Sequence, residues 1–165
     1  MVNSIIFCDI DGTIVPTYFD SDQSISKEEL DNIKRKTERE VLSKNIISIL
    51  NIMIKNTKLV FLTGRPKEWE VITHKLLKPI NRGKYDIHFL SIEGQWNREK
   101  YYKFKLDMIN KLSIKYDIIY VIDDNINLLK YIKKYFNIKN RLFLFLINGV
   151  YNSAIKDMVI ENRLM

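Results

Sequence analysis

The chain predicts a Rossmann-like three-layer α/β/α sandwich around a mainly parallel sheet. Three observations carry this: five short apolar runs, helical patterns between them, and polar residues closing three of the runs. The runs lie at residues 4–10, 58–63, 86–91, 117–122 and 141–148, short segments rich in Ile, Leu, Val and Phe, as strands covered on both faces are. Between the first two, Leu42, Ile46, Ile49, Leu50, Met53 and Ile54 recur at helical spacing, with Ser43 or Asn45 near the start. Further helices are expected over 66–77, 104–116, 125–136 and 151–161, the first of these with Pro66 at its first helical position. Strand and helix therefore alternate, which gives βαβ units with right-handed crossovers and helices on both sheet faces.

A chain of 165 residues with 46% hydrophobic and 12% aromatic content fills one core, so a single domain over residues 1–165 is expected. The five Gly and three Pro are scattered, leaving no linker, repeat or low-complexity tract. Cys8 is the single cysteine and sits inside the first apolar run, where it reads as a buried thiol in a reducing compartment; by itself it can form neither a disulfide framework nor a zinc site. No basic leader precedes the first strand, and the longest apolar run, 142–147, is too short to span a bilayer. The expectation is a cytoplasmic protein without a membrane partner. The net charge of +7 fits a polyanionic partner, and equally a composition rich in Lys, Asn and Ile throughout. Its densest clusters are Lys34-Arg35-Lys36, residues 98–105, and Lys130, Lys133 and Lys134, which share one helix face that solvation alone would also explain.

In open parallel sheets ligands bind beyond the carboxyl ends of the strands. Here the first run ends in Asp9-Ile10-Asp11-Gly12-Thr13, the second in Thr63-Gly64-Arg65 and the fourth in Asp123-Asp124, while Lys105 opens the helix before the fourth. Carboxylates this close repel one another and persist where a cation or a catalytic duty compensates them; a plain Asp-Gly turn is the competing reading of the first motif taken alone. Four carboxylates, one lysine and one threonine suit Mg²⁺, a hard ion that takes oxygen ligands and keeps several waters. His74 and His88 lie apart, without ligand spacing, and take no role.

These residues, in this order and spacing, resemble the phosphohydrolases of the haloacid dehalogenase superfamily, which carry Asp-x-Asp-Gly-Thr, a strand-terminal Thr or Ser, a Lys and an acidic pair. The likeness spans nearly the whole chain. Within the family an acid at the place of Asp11 goes with phosphoryl transfer rather than carbon–halogen cleavage. The resemblance implies an aspartyl-phosphate mechanism: Asp9 as nucleophile, Asp11 as the acid and then the base, and Thr63 with the neighbouring Gly64 and Arg65 on the phosphoryl oxygens. It also implies Lys105 as the compensating cation, with Lys100 and Lys103 close by. Mg²⁺ would be held by the Asp9 carboxylate, the Asp11 backbone carbonyl and Asp123 or Asp124.

Family members differ chiefly in inserted caps, and both insertion sites here look small, which implies an open site able to take a phosphate at the end of a macromolecule. Thr63-Gly64-Arg65-Pro66, Trp69, Thr73, Phe104-Lys105 and Ile122-Asp123-Asp124-Asn125 are similar to the phosphatase domain of polynucleotide kinase-phosphatases. Asn125 stands where that family usually has Arg, and Ser91-Ile92 replaces an expected Arg-bearing strand end. No phosphate-binding Gly-x-x-x-x-Gly-Lys-Ser/Thr loop occurs, so no kinase half is expected. Trp96, Tyr101, Tyr102 and Phe104, interleaved with Arg98, Lys100 and Lys103, have the composition of a base-stacking, phosphate-tracking surface, or equally of core packing beside a basic loop. Three readings follow: a phosphatase for polynucleotide 3′ or 5′ phosphate ends, a phosphomonoesterase for nucleotides or other small esters, and a catalytically silent nucleic-acid-binding module.

Overall fold

The computed structural model describes residues 3–15, 44–90, 97–137, 141–147 and 158–160, together with positions 28 and 42. Lys34-Arg35-Lys36, Ser43, Ser91-Ile92 and Trp96 lie outside the described residues, as does most of the expected terminal helix. The elements are β1 (Ser4–Cys8), α1 (Lys44–Met53), β2 (Lys58–Thr63), α2 (Glu70–Leu77), β3 (Asp86–Phe89), α3 (Arg98–Ser113), β4 (Ile118–Asp123), α4 (Ile126–Tyr135), β5 (Arg141–Ile147) and β6 (Met158–Ile160). They build one six-stranded sheet in the order β3-β2-β1-β4-β5-β6. β1 to β5 run parallel to one another and β6 runs antiparallel on β5.

Strand residues alternate strictly between two apolar layers, as the two-residue period of a pleated strand requires. Ile5, Phe7, Val60 and Leu62 pack with Tyr101, Tyr102 and Ile109 of α3 and with Leu128, Leu129 and Ile132 of α4. Ile6, Cys8, Leu59 and Phe61 pack on the opposite face with Ile46 and Leu50 of α1 and with Leu77 of α2. Each fully buried Ile, Leu or Phe contributes about 1.5–3 kcal/mol of transfer free energy, so this two-sided burial holds the sandwich together.

The connections β1-α1-β2-α2-β3 place their helices on one face, and β3-α3-β4-α4-β5 place theirs on the other. The chain therefore reverses its winding between β1 and β4, which pair over Ser4↔Ile118 to Cys8↔Ile122. This is the switch point at which open α/β sheets leave a crevice above the strand ends.

Several expected boundaries move. Pro66 has φ −61 and ψ 150, so it caps a single 3-10 turn (Lys67–Trp69) ahead of α2 instead of occupying a first helical position. The third helix begins at Arg98, not at 104, because the Asn97 side chain accepts from the Lys100 N–H at 2.8 Å and so starts the helix. Lys105 accordingly lies inside α3, not at its opening. The terminal helix expected over 151–161 is contradicted at its described part: Met158–Ile160 pairs with Phe145, Leu146 and Ile147 as β6. The edge of β5 offers unpaired backbone groups, and a short Val-Ile segment meets that demand better than helix formation does. Among the described residues no helix is long and apolar enough to cross a membrane.

Candidate active site

The site grows from the end of β1. The Asp9 N–H donates to the Ile122 carbonyl at 2.9 Å, which carries the β1–β4 pairing one step past the strand and sets Asp9 beside Asp123. The chain then turns tightly, with the Ile14 N–H donating to the Ile10 carbonyl at 2.9 Å and the Gly12 N–H to the Val15 carbonyl at 2.9 Å. Gly12 has φ +77, and a Cβ there would stand 2.2 Å from Asp124 Oδ2, so the turn requires glycine on both conformational and steric grounds. The buried Thr13 hydroxyl stands 3.3 Å from Asp9 Oδ2 and 3.3 Å from Asp124 Oδ1, tying the first motif to the acidic pair.

Two cations reach this cluster in different ways. Lys105 Nζ, buried on α3, lies 2.6 Å from Asp9 Oδ1 and 2.6 Å from Asp123 Oδ2. Arg65, wholly buried after β2, sets its guanidinium on Asp11: Nε donates to Oδ2 at 2.9 Å and Nη2 to Oδ1 at 2.6 Å. Arg65 Nη1 also donates to Thr73 Oγ1 at 3.4 Å, and the Arg65 N–H donates to the buried Thr63 hydroxyl at 3.1 Å. Thr63 closes β2, the neighbour of β1, and Gly64 beside it is half-buried.

Two contacts from α3 escape a reading by motif. The Tyr101 hydroxyl donates to Asp9 Oδ1 at 3.0 Å, and the Tyr102 hydroxyl reaches Asn125 Oδ1 at 3.1 Å. Asn125 in turn donates its N–H to Asp123 Oδ1 at 2.9 Å and caps α4 by accepting from the Asn127 and Leu128 N–H groups. The spacing of Tyr101 and Lys105, one helical turn apart, was the available signal, since residues at i and i+4 share a face. Both tyrosines are buried, so they pack in the core and cannot form the base-stacking surface that their spacing with lysines allows.

Burial raises every carboxyl in the cluster whose shift is resolved. For Asp11 burial outweighs the opposing charge and hydrogen bonds of Arg65, with Asp9 adding to the rise. Asp123 is pushed up to about 6 by burial, against the pull of Lys105. Asp124 is pushed up to about 8 by burial and then by the charges of Asp9 and Asp123. On Lys105 burial acts downward, but Asp123 and Asp9 overcome it and hold the ammonium above its ordinary range. Burial, followed by the charge of Asp9, lifts the phenol of Tyr101 and the thiol of Cys8 well above their usual values.

Oxygens of Asp9, Asp123 and Asp124 lie within 4.8 Å of one another, a set able to hold a metal ion. The charge balance fits that use. Arg65 answers Asp11, Lys105 is shared between Asp9 and Asp123, and among the described residues no ion pair reaches Asp124. The excess negative charge is what a hard divalent cation neutralises, and the donor set is all oxygen. The Asp11 side chain is committed to Arg65 and stands outside this triad.

No family model matches the sequence, and no curated protein matches it. Solved structures do. The HAD domain of effector protein Lem4 from Legionella pneumophila superposes with a TM-score of 0.58 at 12% identity, covering 92% of this chain and 90% of that one. Legionella pneumophila effector Ceg4 gives a TM-score of 0.53 at 13% identity, over 92% of this chain and 89% of that one. A chain of the Pnkp1/Rnl/Hen1 RNA repair complex gives 0.58 at 15% identity over 87% of this chain. The present chain spans 42% of the length of that larger neighbour. The protein therefore has the fold of a HAD domain.

Proposed function

We propose that this protein is a Mg²⁺-dependent phosphohydrolase acting through an aspartyl-phosphate, with residues 1–165 as one phosphohydrolase domain carrying a minimal cap. The observation that carries the reading is the Asp9 carboxylate held against Lys105 and Asp123 at the switch point of the sheet, with Asp124 adjoining. Only residues 90–97 separate β3 from α3, too few for a second folded unit at that place.

In this reading Asp9 forms a bond to phosphorus as the ester P–O bond breaks and its electron pair leaves with the ester oxygen. Asp11 gives that oxygen its proton, a duty that its raised carboxyl suits. Asp11 then takes a proton from water, whose oxygen bonds to phosphorus as the Asp9–phosphorus bond breaks; phosphate leaves and both carboxyls return to their starting states. Arg65 fixes the side chain of Asp11 from a fully buried position and so assists the proton transfers instead of binding substrate directly. Thr63 and the backbone N–H groups at Gly64 bind phosphoryl oxygens. Asp9, Asp123 and Asp124, with the Asp11 carbonyl, would hold Mg²⁺, which lowers the repulsion between an anionic nucleophile and a phosphate dianion.

For the substrate we favour polynucleotide phosphate ends. Lys130, Lys133 and Lys134 are exposed along α4, whose first turn adjoins the acidic pair, and the rings of Tyr131 and Tyr135 on the same helix lie 4.7 Å apart. One structural neighbour also belongs to an RNA repair complex. Phosphate release from an aryl phosphate, mononucleotides and 3′- or 5′-phosphorylated oligonucleotides, with and without Mg²⁺ and at two salt concentrations, tests both parts. Oligonucleotide turnover that needs Mg²⁺ and fades steeply with salt is the expected result. Salt-indifferent turnover of small esters would replace the substrate class, and inactivity on all of them would leave the silent nucleic-acid-binding reading.

A further inference from the structure

We propose that Tyr101 is a positioning residue for the Asp9 nucleophile; this deepens the phosphohydrolase reading and rests on it. Rotation of a carboxylate about its last torsion is soft, so an attacking Asp oxygen has no fixed direction unless its surroundings impose one. Here Asp9 Oδ1 lies 3.0 Å from the Tyr101 hydroxyl and 2.6 Å from Lys105 Nζ, while Oδ2 lies 3.3 Å from the Thr13 hydroxyl. Three donors from two elements thus hold both oxygens.

Tyr101 does this from a rigid base. Asn97 caps α3, Tyr101 sits in the first turn, and its ring packs beside Tyr102 at 6.2 Å between centroids. The ring also lies beneath the Lys105 ammonium, 4.5 Å from centroid to Nζ, so one side chain orders both the nucleophile and the cation that compensates it. A geometry set before substrate arrives lowers the barrier to attack without tightening ground-state binding, because the hydroxyl acts on the Asp9 carboxylate.

Tyr101→Phe removes the hydroxyl and keeps the ring, its packing and its contact with Lys105. With Mg²⁺ and an aryl phosphate, kcat should fall about tenfold with KM held within about twofold, the signature of an interaction that acts on the transition state. Rapid-quench measurement should place the loss in formation of the phosphoryl-enzyme and leave its hydrolysis unchanged.

A metal-free readout accompanies this. Tyr101→Phe should lower the melting temperature of the wild-type protein but not that of an Asp9→Ala protein, since the two side chains couple directly. Wild-type kcat in Tyr101→Phe, or an equal rise in KM in place of the kcat loss, overturns the proposal, as does the same melting shift in both backgrounds. Wild-type protein inert on every ester would instead overturn the phosphohydrolase reading and the catalytic role with it, while the melting cycle still decides the contact.

Discussion

The two buried cations of the site make opposite kinds of ion pair. Arg65 gives its whole guanidinium edge to one carboxylate, Asp11, in a closed one-to-one pair with two parallel donors. Lys105 divides a single ammonium between Asp9 and Asp123, with Asp124 adjoining and no ion pair to it among the described residues. The first arrangement is complete in itself and fixes a side chain. The second is short of positive charge and invites a further cation. Fork geometry suits positioning, whereas a point charge on a flexible stem suits a site where ligands come and go.

The largest expected effect comes from removing the shared cation. Lys105→Ala should cost about 3–5 kcal/mol in urea unfolding of the metal-free protein, because two buried carboxylates lose their partner at once. Lys103→Ala, on the exposed face of the same helix, should change stability by less than about 0.5 kcal/mol. Equal losses in the two variants would show that Lys105 is no more important to the fold than its exposed neighbours.

Arg65→Lys tests the closed pair by keeping the charge and deleting the fork. A cost of about 1–3 kcal/mol is expected, together with a fall in kcat, since Asp11 then loses its fixed direction. Unaltered stability and turnover would mean that charge alone suffices at that position. Gly12→Ala should cost about 1–3 kcal/mol from its left-handed backbone, and its new methyl would push Asp124 aside. Isothermal titration should then show weaker Mg²⁺ binding in that variant, with no such change in Arg65→Lys.

A probe that alters no residue is pH. Asp124, pushed up to about 8, holds its proton more tightly in the folded state than in the unfolded chain. Its contribution to stability is therefore fully present below the ordinary carboxyl range near pH 4 and is lost as pH rises through about 8. Across that window the metal-free protein should lose up to about 1.4 kcal/mol per pH unit for that proton. Mg²⁺ competes with the same proton, so its affinity should rise with pH and level off above about 8, and saturating Mg²⁺ should flatten the stability slope. Mg²⁺ affinity that stays level between pH 6 and 9 would exclude Asp124 from the ligand set.

Much of the fold could be read directly because buried parallel strands leave an unambiguous trace. The runs ending at Thr63 and beside Asp123 are apolar on both faces and stop abruptly at polar residues. The start of α3 was harder to place, since Lys105 interrupts its buried stripe between Tyr101 and Ile109 and only the Asn97 cap and Glu99 in the first turn mark it. The edge strand β6 left still less, because a three-residue strand takes its reason from the open edge of β5 rather than from its own pattern.

The sequence by itself determined the alternation of strand and helix, the acidic and basic residues at the strand ends and the glycine of the first turn. These are local properties, set by periodicity, turn chemistry and the charges a segment carries. Tertiary structure decided that Arg65 faces Asp11, that Lys105 is shared by Asp9 and Asp123, and that Tyr101 is turned inward onto Asp9. Each of those depends on which strand ends meet at the switch point and how deeply they are buried. Burial makes an unpaired charge costly, and in that way it selects Arg65 for Asp11 and Lys105 for Asp9 and Asp123.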